Sequence, residues 1–422
     1  MSFLSPFASL LSEPNITYPP MAPTLPHEVL CRIFQESLDY SPFYHRSYDQ
    51  DGDINLSCQC SRMTTPLTLS AVCQLWRRVA FGDPQLWRNV YLVASPWKAE
   101  AQSVLLREWL SRAGILTLDI DIDCPVEDDK RWSPENKERS HLILRVVYEY
   151  SHRCTTFRTR LPPSCLSLPW GSSSLPRWTK LTSLDIATYN LTEGVDGQDE
   201  EDLDSISVFR HSRQLRHLTI WEIRIEQLHL PWSHLALASI STQALTVYDC
   251  LVLLRNAPNV EECLFSNVTY PNSEELENFQ DYIHLPQLHT LHLDFTELGG
   301  HYGAIFNHIT TPNLRALSYY SEEGSPFPAE EFQEFLQRSC CPLISLEIKG
   351  SDMSAPAIWN SLRLIPQSLE QVFIEAQDPT GEGPMITFVP YLKFPFPRIR
   401  AATFRAPRSV VQELESLITM PH

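Results

Sequence analysis

The chain has 422 residues, of which 43% are hydrophobic and 20% charged. That length suits two or three globular units or one elongated repeat array, and that composition excludes a disordered chain. The net charge of −18 provides no general basic face for a phosphate backbone or an anionic bilayer, so neither nucleic acid nor membrane is expected as a partner. No apolar run approaches the roughly 18 residues of a spanning helix.

Residues 1–24 are rich in Pro and Ser and read as a flexible N-terminus. They lack a basic start, and Pro6 and Pro14 interrupt them, so a secretory signal is not expected. The 11 cysteines are odd in number and scattered. Cys31, Cys73, Cys250 and Cys263 stand in apolar contexts, which suits free thiols packed as small hydrophobes in a reducing compartment, cytoplasmic and/or nuclear. The N-x-T triplets at Asn15, Asn190 and Asn267 then read as chance matches.

The first ordered element is predicted over LPHEVLCRIFQESL, residues 25–38. Val29, Leu30, Ile33, Phe34 and Leu38 recur at helical spacing behind Pro26, and Glu28 occupies the first turn. Residues 39–66 carry Pro, Ser, Asp and Gly and read as an insertion loop. A helical stripe of Leu69, Val72, Cys73, Trp76, Val79 and Ala80 follows, with Gly82 at its end. Asp83-Pro84 opens a short turn bearing Leu86 and Trp87, and residues 89–93 read as a strand.

Beyond that point a template L-x-x-L-x-L recurs, starting at Leu181, Leu215, Leu237, Val260, Leu288, Leu314, Leu343, Leu369 and Ile399. The intervals are mostly 22–30 residues, close to the roughly 20–29 of leucine-rich repeats. Strands at 115–122 and 156–163 are expected to begin the same sheet, with a helix at 102–112 and, at 249–263 and 330–346, a helix ending at a turn and running into the next strand. Positions one, four and six of each copy point inward, and neighbours must stack to cover them. The predicted fold is therefore α/β: an N-terminal three-helix module over residues 25–92, then an irregular leucine-rich-repeat solenoid over 93–422, a curved and mainly parallel sheet with helices outside.

The segments LPHEVLCRIFQESL and LTLSAVCQLWRRVAFGDPQLWRNVYL carry a Leu-Pro start, an Ile-Phe pair, a V-C-x-x-W-R-x-x-A core and a P-x-L-W end. In these the chain resembles the F-box-like domain of fungal, basidiomycete-type proteins, and the downstream repeats are similar to the leucine-rich region usually found behind it. The departure is the insertion at 39–66. The resemblance implies binding to a Skp-family adaptor, and through it to cullin and RING subunits. The repeats would hold a target protein for ubiquitin-dependent degradation. The alternative is a repeat scaffold, outside ubiquitin chemistry, with a degenerate F-box.

Adaptor contact is expected from Leu25, Pro26, Val29, Leu30, Ile33, Phe34, Val72, Trp76 and Trp87, of which Leu25 and Pro26 are the most direct and Trp87 equally suits a joint to the first repeat. On the repeats, outward positions are the expected target face: His217, Thr219, Trp221, Thr290, His292, Asp294, Ser318, Tyr320, Glu347 and Lys349, with Ala316 and Ser345 beside them. An exposed Trp and Tyr there would suit a protein-binding hot spot.

No enzyme, cofactor or metal is expected. Cys58, Cys60 and His45 lack a second zinc-ligand pair, and alternation separates His284, His289 and His292. The acidic run 195–204 lacks calcium-loop spacing. No G-x-S-x-G, P-loop or G-x-G-x-x-G occurs.

Overall fold

The computed structural model describes residues 25–38, 65–123, 134–161, 163–166, 176–187, 205–221, 223, 225–232, 235, 237–243, 245–269, 276, 279–296, 303–365, 368–377, 385–388 and 398–419. It divides into two units, Met1–Trp87 and Arg88–His422.

The first unit is helical. Helix α1 spans His27–Ser37 and starts at Pro26, whose carbonyl accepts the Val29 and Leu30 N–H groups at 3.1 Å each. Proline loses nothing at this end, because a helix start has no partner for those first N–H groups. Leu30, Phe34 and Leu38, spaced by four, are buried on one face. Helix α2 spans Pro66–Val72 behind a reciprocal cap: the Thr68 N–H donates to Thr65 Oγ1 at 3.2 Å, and the Thr65 N–H donates to Thr68 Oγ1 at 2.8 Å.

Helix α3 spans Gln74–Gly82. The single stripe expected over 69–80 is thus two helices. Cys73 is extended at φ −158° and ψ 173°, and its sulfur accepts the Trp76 N–H at 3.5 Å. A side chain that caps the next helix ends the previous one. Cys73 is exposed and Cys31 partly so, unlike the buried Cys250 and Cys263.

A single turn, Pro84–Trp87, closes the unit and buries Leu86 and Trp87. The Trp87 indole N–H donates to Ala80 O at 2.7 Å, which satisfies a carbonyl in the last turn of α3. Asp83 fixes the corner. It accepts the Gln35 side chain at 2.9 Å and the Gln85 N–H at 3.0 Å.

The second unit is built on a 13-stranded sheet. Its strands include β1 Asn89–Val93, β2 Leu118–Asp123, β3 Cys154–Arg160, β4 Ser183–Ala187, β5 His217–Trp221 and β6 Ser239–Gln243. Then come β7 Glu262–Val268, β9 Thr290–Phe295, β11 Ala316–Pro326, β12 Ser345–Asp352, β13 Gln371–Gln377 and β15 Ala401–Pro407. These neighbours pair in parallel in chain order, and β14 Met385–Phe388 runs antiparallel along β15 at the end of the sheet. Two short strands, β8 Ile283–His284 and β10 Ile309–Thr310, pair separately.

Every template copy places its strand two residues after its first position: Leu181 precedes β4 at Ser183, and Ile399 precedes β15 at Ala401. One register row across the sheet reads Leu184, Leu218, Ile240, Cys263, Leu291, Leu317, Leu346, Val372 and Ala402. All of these are buried. Alternation sends the residues between them to the opposite face.

Helices cover the buried face. They are α4 Ala99–Arg112, α5 Pro134–Tyr150, α6 Pro163–Leu166, α7 Val247–Asn256, α8 Ala304–His308, α9 Ala329–Ser339, α10 Ala355–Arg363 and α11 Arg408–Thr419. From α7 to α11 each packs on the next, as α4 does on α5. Aromatic rings bind the layers: Tyr148 of α5 stands edge-on to Trp178 at 6.2 Å, and Trp178 lies 5.0 Å from Phe157 of β3. Phe306 of α8 stacks 6.0 Å from Tyr319 of β11 and 5.3 Å from Phe332 of α9.

The register shifts where β7, β11 and β12 bulge, at 265–268, 320–325 and 349–351. Gly350 has φ +81°, and a Cβ there would lie 1.8 Å from the Ser321 carbonyl oxygen. Only glycine allows that approach.

Candidate functional site

Each unit presents one surface whose chemistry suits a protein partner. In the first unit, α1 turns two apolar faces in different directions. Leu30 and Phe34 point into the core, while Leu25, Val29 and Ile33 remain 49%, 42% and 43% exposed. Leu67 and Val72 add 39% and 61% exposed apolar surface on α2. Pro26 is also exposed. These exposed apolar side chains make the candidate interaction face of the unit.

Three residues expected to touch the adaptor are placed otherwise. Leu30, Phe34 and Trp87 are buried in the core of the unit and are not part of its exposed surface. Trp76 is partly exposed, its ring 4.8 Å from Phe34 and tilted by 58°. Cys31 sits beside this face, its thiol raised by burial and by the Asp83 charge. Leu67 was not singled out from the sequence, because the broken helix places it where a continuous stripe would not.

In the second unit the outward rows of the sheet form the other surface. His217 is exposed, whereas Thr219, Trp221, Thr290, His292, Asp294, Ser318, Tyr320, Glu347 and Lys349 are partly buried. Trp221 and Tyr320 are therefore not the freely exposed anchors expected. Cross-strand neighbours cover part of the Tyr320 ring. The His292 ring stands edge-on to Tyr320 at 4.8 Å and 87°. Lys349 Nζ lies 4.7 Å from the Tyr320 ring and 5.1 Å from that of Phe373. It also pairs with Glu347 at 2.7 Å and donates to Tyr320 Oη at 3.4 Å.

The charges respond to this packing. The Glu347 bond holds the Lys349 ammonium above its usual range. Burial pushes the Glu347 carboxyl up, but the Lys349 and Tyr320 hydrogen bonds outweigh it and leave the group below its usual value. Burial lowers His292 and raises Asp294 and Tyr320.

Among the described residues no group of three or more His, Cys, Asp or Glu is placed to hold a metal ion. His284 is on β8, His289 lies 3.8 Å from Glu261, and His292 packs on Tyr320, so the three histidines do not converge. His45, Cys58, Cys60 and the acidic run 195–204 lie outside the described residues. Burial pushes the Cys341 thiol up to about 11 and Cys154 to about 12, so both remain protonated at neutral pH. No helix among the described residues is long and apolar enough to cross a membrane.

The F-box-like family model matches residues 22–93. Those residues are an F-box-like domain. The match takes in α1, α2, α3, the closing turn and β1. No curated protein matches the chain significantly.

Proposed function

We propose that this chain is a non-catalytic adaptor, the substrate-recognition subunit of an SCF-type cullin–RING ubiquitin ligase. One observation carries the reading: an F-box-like domain that exposes Leu25, Pro26, Val29, Ile33, Leu67 and Val72 around a filled core. F-box domains typically dock a Skp-family adaptor, and an exposed apolar row over a rigid core is what such docking needs. Leu30, Phe34 and Trp87 hold that row in place.

The second unit is then a leucine-rich-repeat arc, the target-holding part of the chain. The invariant two-residue offset from template start to strand, and the buried row from Leu184 to Ala402, support this reading. The outward residues from His217 to Lys349 are its proposed target face. The mechanism is proximity: holding a target lysine near a charged ubiquitin carrier raises its effective concentration without chemistry by this chain. The site of action is cytoplasmic and/or nuclear, where ubiquitin ligases of this kind work.

Co-purification of the full chain with its host's Skp-family adaptor tests the proposal. Wild type retains the adaptor and Leu25→Ala/Pro26→Ala loses it. If a folded wild type retains none, the chain is a repeat scaffold with a degenerate F-box.

A further inference from the structure

Several carboxylates on or beside the outer face of β9 to β15 are neutralised by a neighbouring cation. Glu347 pairs with Lys349 at 2.7 Å, Glu375 with Arg405 at 2.8 Å and Glu370 with Arg400 at 3.3 Å. Asp294 makes no ion pair among the described residues. Its described hydrogen bond comes from the backbone N–H of Asn267. Asn267 has φ 51°, in the left-handed region, and stands at the β7 bulge. A bulge re-aims the local backbone, and non-glycine residues at positive φ concentrate at binding sites.

The neighbours of Asp294 leave room for a cation of a particular kind. Tyr320 is its register partner on β11, and His292 lies two residues earlier on the same face of β9. Burial lowers the His292 pKa, which disfavours the charged form that would repel a cation. Lys349, in register with Tyr320 on β12, is neutralised by Glu347. A ligand reaching a partly buried carboxylate must shed water. A guanidinium is less strongly hydrated than an ammonium, is planar beside aromatic rings, and grips a carboxylate with two parallel hydrogen bonds.

We propose that Asp294, flanked by His292 and Tyr320, receives an arginine side chain from a segment of the recognised protein lying across the outer face of the sheet. This rests on the target-holding reading of the second unit. The acidic chain, with net charge −18, would favour approach of such a basic segment.

The probes are acetylated, amidated Gly-Arg-Gly, Gly-Lys-Gly and Gly-Gln-Gly, titrated into the full chain with labelled histidine. The His292 imidazole signals are assigned through His292→Gln. The Arg peptide should move those signals and bind about tenfold more tightly than the other two, the step that charge-assisted bidentate pairing supplies. Asp294→Asn, which keeps the side-chain shape, should bring it to the Gln level with an unchanged unfolding midpoint. Equal binding of the Lys or Gln peptide, or Arg binding that survives Asp294→Asn, overturns the proposal. Capture of the Skp-family adaptor is measured on the same samples. Normal capture with a failed Arg test sinks this inference alone, and lost capture with a positive Arg test sinks the ligase reading alone.

Discussion

The ring of Phe34 on α1 lies 4.8 Å from the ring of Trp76 on α3, tilted by 58°. This contact joins the first and third helices of the F-box-like domain. Of the two adjacent residues Ile33 and Phe34, Ile33 is exposed and Phe34 fully buried. Phe34→Ala removes a fully buried ring and should destabilise the domain by about 3–5 kcal/mol. Ile33→Ala should change stability by no more than about 0.5 kcal/mol. Urea unfolding of both variants checks the contrast.

Trp87 supplies the second test of that core. Its indole N–H is the partner of Ala80 O at 2.7 Å, inside the fold. Trp87→Phe keeps most of the apolar bulk but leaves the carbonyl without its donor, which should cost about 1–3 kcal/mol. A shift in urea midpoint with an unchanged slope is the expected outcome.

Gly350 should not tolerate a side chain. At φ +81°, with a Cβ meeting the Ser321 carbonyl at 1.8 Å, Gly350→Ala must displace backbone across the β11–β12 bulges. Gly82, whose Cβ would meet nothing within 4 Å, should accept alanine freely. Thermal unfolding should show a marked drop for Gly350→Ala and little change for Gly82→Ala.

The Glu347–Lys349 pair should give a pH dependence with a definite sign. Glu347 is depressed in the folded chain, so its contribution is full above the unfolded carboxylate value and is lost as pH falls through the folded value. Lys349 is raised, so its contribution is full below the unfolded amine value and is lost as pH rises through the folded one. Between those limits the pair is complete. Comparing urea midpoints at pH 7 and pH 3.5, the difference between wild type and Glu347→Gln should shrink at the lower pH.

Much of this architecture is legible in the sequence where one chemical rule acts alone. The L-x-x-L-x-L copies place their strands because inward leucines have no other place to go, and Leu30 with Phe34 marks the buried face of α1. Competition between rules hides the rest. Cys73 belongs to an apolar stripe by spacing but caps α3 by hydrogen bonding, so one predicted helix is two. Trp221 and Tyr320 point outward by alternation, yet both are partly buried, Tyr320 against the His292 ring of the next strand. Strand pairing also sets which acids find cations. Glu375 reaches Arg405 only through the β13–β15 register, whereas Glu347 and Lys349 stand two residues apart on one strand and are legible as a pair.

The exposed apolar row bears the central claim, and calorimetric titration of the purified full chain with the host's Skp-family adaptor tests it most directly. Wild type should bind with a negative heat-capacity change, the mark of apolar surface leaving water. Ile33→Glu should fold normally and bind at least about tenfold more weakly. An adaptor that binds Ile33→Glu as tightly as wild type, or a folded wild type that gives no binding heat at any temperature, would contradict the account.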